Sequence, residues 1–148
     1  MPLNDEPAIR RLTDRAEILD VVGGYATALD TKDWTALASL FTEDATWEYT
    51  GGGERLTGPE AIVARIAAAL RPLAVTQHLF GNHTVRVDGD EAEHACYVQA
   101  QHVAKDGRKY LGAGRYADRL HRTADGWRFT HRSLTSMWSD GDTAVVLG

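Results

Sequence analysis

The stretch RIAAALRPLAVTQHLFGNHTV, Arg65–Val85, decides the fold, because its periodicity changes halfway along. Up to Leu70 it completes PEAIVARIAAAL, a run of helix formers whose opening Pro59 suits a first helical turn. Pro72 stands just past the end of that run. From Ala74 onward, β-branched and aromatic residues take over.

Four such segments follow, roughly Ala74–Val87, Ala92–Ala104, Lys109–Arg122 and Gly126–Trp138. The turn signals DGDE, KDGR and TADGW separate them. Short turns imply neighbouring antiparallel strands, a meander. Upstream, Ile18, Val21, Val22, Tyr25 and Leu29 recur at three- and four-residue steps, predicting a helix from about Ile9 to Asp30. Asp33 is placed to cap a second helix, WTALASLF. TEDATWEYTGGGERLTG then reads as a strand, Ala45–Thr50, and a glycine-rich turn. Helices followed by a meander define an α+β domain whose helices cover one face of a curved sheet. Residues 1–8 read as a loose leader, and the tail 139–148 as a short strand or a lid.

With 148 residues, one domain with a sizeable core is expected. The net charge of −5 gives no pull toward nucleic acid or anionic membrane. No apolar run approaches a membrane span and no secretory signal is legible at the N-terminus, so a cytoplasmic protein is expected. The lone Cys96 allows no internal disulfide. Six histidines raise the question of metal, but there is no His-x-His, HExxH or CxxC, and His78 and His83 diverge on an unbulged strand. No metal site is expected. Nucleophile elbows and phosphate loops are absent as well.

Each meander strand has two candidate inner faces. Thr76, His78, Phe80 and Asn82 share one. On the second strand, Tyr97, Gln99 and Gln101 oppose Cys96, Val98, Ala100 and His102. Tyr116 and Asp118 share a face of the third, and Arg132, Leu134, Ser136 and Trp138 one of the fourth. Periodicity leaves the choice open. Asp30 lies about 140° round the first helix from Tyr25, so the two converge only if the helix ends near Leu29.

The segments YATALDTKDWTALASLFTEDATWEY, LTGPEAI, TQHLFGNHTV and GWRFTHRSL together resemble the SnoaL-like group of the nuclear-transport-factor-like superfamily, over nearly the whole chain. The resemblance implies a cone: helices and a strongly curved mixed sheet around an apolar cavity. It implies a working pair, His78 and Asp30, as in lyases and isomerases of the group. It also implies catalytic assistance from Tyr25 and Tyr49, which resemble pocket tyrosines of a dehydratase member. The implied cavity lining is Trp47, Phe80, Tyr97, Gln99, Gln101, Tyr116, Arg132, Leu134 and Trp138. A dehydrochlorinase member carries lysine where this chain has Tyr25, which argues against the same dehalogenation.

The activity so implied is dehydration or isomerisation of a hydrophobic, cyclic small molecule, with no metal or organic cofactor. Asp30 orients His78, His78 takes a proton from carbon beside a carbonyl, and a tyrosine hydrogen-bonds the enolate oxygen. The alternatives are a ligand-binding module and an assembly subunit like the β chains of ring-hydroxylating dioxygenases. A homodimer or homotrimer is implied by resemblance alone.

Overall fold

A computed structural model describes residues 5–147. Helix α1 (Glu6–Thr31) begins earlier than expected, because the Asp5 side chain accepts the Ala8 amide (3.3 Å) and Pro7 suits the first turn. Residues 5–8 are therefore not a loose leader; residues 1–4 lie outside the described residues. Asp33 caps α2 (Trp34–Ser39), accepting the Ala36 amide at 3.0 Å.

Strand β1 (Phe41–Tyr49) starts before the expected Ala45 and takes in Phe41, read above as the end of a helix. A short strand, β2 (Arg55–Thr57), lies where only a turn was expected and pairs antiparallel with β1. Then come α3 (Pro59–Leu70) and the meander: β3 (Val75–Asp88), β4 (Glu91–Val103), β5 (Lys109–Thr123) and β6 (Gly126–Gly141). The tail holds a helical turn, α4 (Ala144–Leu147).

The six strands form one curved, unclosed mixed sheet in the order β2-β1-β6-β5-β4-β3. Only the β1–β6 pairing is parallel. Ile18, Val22, Tyr25 and Leu29 of α1 are all buried in the core. Burial of each such side chain contributes about 1.5–3 kcal/mol. Lys32 takes a left-handed conformation (φ 56°) after α1 and donates from Nζ to the carbonyls of Arg71 (3.0 Å) and Leu73 (2.6 Å). That tie fixes the end of α1 against the segment leading into β3.

Two of the sheet's register shifts decide which side chains of β4 and of the end of β6 face inward. Between Gly81 and Thr84 an extra residue enters β3, with Asn82 left-handed (φ 55°). Between Ala113 and Gly114 the pairing with β6 shifts by one, passing over Met137.

Candidate active site

Asp30 lies in the last turn of α1, which runs one residue beyond it. The helix does not end at Leu29 for Asp30 to turn back; instead β3 passes along its flank. The Asp30 carboxylate accepts three hydrogen bonds: from His78 Nδ1 (2.7 Å), from the His78 amide (2.9 Å) and from Thr76 Oγ1 (3.0 Å). Burial works against its charge, but these donors outweigh burial and hold its pKa below the ordinary carboxylate value. A carboxylate accepts at Nδ1, so that nitrogen carries the proton and Nε2 presents its lone pair. The His78 side chain is 6% exposed.

His78 lines a cavity of about 310 Å³ between α1, α3 and the inner sheet face. Its apolar walls include Leu29, Ile66, Leu70, Val98 and Leu134. Tyr25, Tyr116, Tyr110 and His102 supply polar groups, and Tyr49 and Arg65 are also in the wall. Val146 of α4 contributes to the lining, so the tail closes part of the cavity. The hydroxyls of Tyr25 and Tyr116 are pushed above the ordinary tyrosine range by burial and remain protonated donors.

His102 was not anticipated. Its ring centroid is 5.9 Å from that of His78. Its Nδ1 donates to the Tyr110 carbonyl (3.2 Å), which leaves Nε2 as an acceptor. Burial, and then the neighbouring His78, lower its pKa, so it stays neutral. The signal was legible on β4, where Cys96, Val98 and Ala100 mark every second position as apolar and His102 continues that row.

The structure divides the expected lining. Tyr25, Tyr49, His78, Tyr116 and Leu134 face the cavity. Trp47, Phe80 and Arg132 stand outside that lining, in the packed core around it. Phe80 packs on the rings of Tyr25 and Tyr116. Arg132 is fully buried, its guanidinium 3.7 Å from the Tyr116 ring centroid and 4.1 Å from that of Tyr25. It donates from Nε to Asp118 at 2.9 Å. Burial opposes its charge, and the Asp118 carboxylate more than restores it.

Tyr97, Gln99 and Gln101 lie on the opposite face of β4, because His78 pairs with Ala100 rather than with a glutamine. Gln101 donates to the Tyr110 carbonyl, outside the cavity lining. Trp138 is 47% exposed, since the shift at Met137 turns it to the outer face opposite Ala113.

His83, expected on the face away from His78, is turned inward by the bulge at Asn82. Its Nδ1 lies 3.0 Å from His94 Nε2. His94 Nδ1 in turn donates to Asp118 (2.7 Å). The buried Cys96 thiol stands beside them, pushed by burial to about 12 and so unreactive as a nucleophile.

The helices and the curved sheet thus enclose a cavity whose wall carries the hydrogen-bonded Asp30 and His78. The SnoaL-like domain profile matches residues 10–133, and the chain belongs to the SnoaL-like family. It is 32% identical over 130 residues to the uncharacterized protein Rv2910c of Mycobacterium tuberculosis, covering 86% of this chain and 88% of that protein. It is 31% identical over 154 positions to terrestric acid biosynthesis cluster protein E of Penicillium crustosum, covering 98% and 95%. A type 2 hexachlorocyclohexane dehydrochlorinase superposes with a TM-score of 0.81 over 92% of this chain and 93% of its own, at 23% identity, and shares the cone fold. No helix among the described residues is long and apolar enough to cross a membrane.

Proposed function

We propose that the protein is a cofactor-independent lyase or isomerase acting on a hydrophobic, cyclic small molecule, with dehydration of a β-hydroxy ketone as its reaction. The observation that carries this reading is the Asp30–His78 hydrogen bond of 2.7 Å at the wall of a mostly apolar cavity. His78 Nε2 removes the proton α to the carbonyl. Asp30 stabilises the imidazolium that results. A tyrosine of the cavity wall, the buried Tyr25 or the more exposed Tyr49, donates to the enolate oxygen as charge develops. The imidazolium then protonates the departing β-hydroxyl, so that water leaves and a conjugated enone remains. In isomerisation the same proton returns to a different carbon. Neutral His102, adjacent to His78, is placed to accept or hold a proton in either course. The similarity to a protein of a biosynthesis cluster supports a small-molecule role.

The reading includes a cytoplasmic homodimer or homotrimer. Val75, Leu79, Tyr97 and Trp138 leave apolar surface exposed on the outer sheet face, which supports self-association. Size-exclusion chromatography with light scattering measures that state.

The test of the chemistry is incubation with cyclic β-hydroxy ketones in D₂O. The reading expects saturable enone absorbance, or deuterium entry at the α-carbon, lost in His78→Asn. Tight binding with neither signal would leave a binding module. Stable co-purification with a larger Rieske-type partner would favour an assembly subunit.

A further inference from the structure

We propose that His83, His94 and Cys96 form a binding site for a divalent cation of the zinc class, seated beneath the bulge of β3. One ligand atom from each residue lies within 4.8 Å of the other two. Two imidazoles and a thiol are a borderline-to-soft donor set, which selects zinc-like ions over magnesium or calcium. The set is built rather than accidental in its orientation. Asp118 accepts from His94 Nδ1 at 2.7 Å, so Nε2 keeps its lone pair and points at His83. Asp118 is itself fixed by Arg132. A carboxylate behind a ligating histidine is the arrangement that orients and strengthens such a ligand. His94 and Cys96 are 2% and 1% exposed, whereas His83 is partly open. Entry from the His83 side leaves room for solvent as the fourth ligand.

Binding displaces the thiol proton to solvent and replaces the His83–His94 hydrogen bond with two coordinate bonds. The His83 ring proton moves to its Nε2. None of the three residues lines the cavity of His78, so the ion takes no part in the acid–base steps above. It ties the bulge of β3 to β4.

The test is a titration of tag-free, metal-stripped protein with Co(II). The expected result is one equivalent bound, with a near-ultraviolet thiolate-to-cobalt band that Zn(II) abolishes. Cys96→Ser removes that band. His83→Gln, at a partly open position that tolerates the change, weakens binding by at least the roughly 10–100-fold typical of losing an outer-shell partner. His78→Asn leaves both unchanged. Absence of the band in the wild-type chain, its survival in Cys96→Ser, or its loss in His78→Asn would each overturn the assignment.

Discussion

Replacing Asp30 by asparagine tests the proposed chemistry most directly, because its consequence follows from three distances. The native carboxylate receives donors at both oxygens: His78 Nδ1 and Thr76 Oγ1 at one, the His78 amide at the other. Asparagine offers only one oxygen. If that oxygen faces the His78 amide, its NH₂ meets the imidazole, and His78 must accept at Nδ1 and carry its proton on Nε2. If the oxygen faces the ring, the NH₂ confronts the His78 amide, two donors opposed. In either orientation the negative charge that stabilises the imidazolium is gone. General acid–base assistance is worth about 10²–10⁴-fold, or roughly 3–5 kcal/mol on the barrier. Turnover of a cyclic β-hydroxy ketone should fall within that range, followed by enone absorbance, while circular dichroism stays native. Nitrogen-15 NMR of the His78 ring reads the tautomer without any substrate. Undiminished turnover together with an Nδ1-protonated His78 would refute the reasoning.

Asp118→Ala should cost about 3–5 kcal/mol of stability, because it strands the fully buried Arg132 guanidinium and unties His94; an unchanged urea midpoint would contradict this. Stability should fall as pH drops below about 6.5, since the unfolded chain protonates His102 there while burial keeps the folded residue neutral; the loss ends once the folded pKa is passed. Urea midpoints across that window read it, and a flat or rising profile toward acid argues against a buried neutral His102. Asp30 acts at lower pH and in the same direction: its lowered pKa contributes stability above the ordinary carboxylate value of 3.8, lost on further acidification. Asn82→Val should destabilise by roughly 1–2 kcal/mol, because a β-branched residue resists the left-handed conformation (φ 55°) that asparagine tolerates, whereas Asn82→Gly should be near neutral. Equal denaturation midpoints for the two would count against the bulge.

Much of the architecture is written in local signals. The spacing of Ile18, Val22, Tyr25 and Leu29 marks the buried stripe of α1, and Asp33 caps α2 as its position suggests. The meander turns fall at Gly89, Gly107 and Gly126, each with positive φ, which few other residues supply at low cost. Strand β2 left no such signal, because three residues carry no period of their own and are held by pairing to β1. The pairing of Asp30 with His78 was reached by resemblance; periodicity alone set Asp30 and Tyr25 on different sides of the helix. What makes the contact is tertiary: Lys32 ties the helix end to the carbonyls that precede β3.

The wrong side of β4 has a single cause. The hairpin begins with Asp88 opposite Glu91 and runs through Val85 opposite His94. Continued unbroken, that ladder would set His78 opposite Gln101 and Phe80 opposite Gln99, and both glutamines would face the cavity. The extra residue at the Asn82 bulge moves His78 to Ala100 and Phe80 to Val98. Paired residues share a face, so the whole outer row of β4, Tyr97, Gln99 and Gln101, is exchanged for Cys96, Val98, Ala100 and His102. The exchange lines the cavity with apolar side chains and a second histidine. The same inserted residue turns His83 inward beside His94 and Cys96. One left-handed asparagine thus sets the composition of the cavity wall and creates the donor cluster beneath it. Nothing in a period-two pattern announces this, because a bulge is a fault in that pattern, specified by the turn geometry and packing on both sides of it.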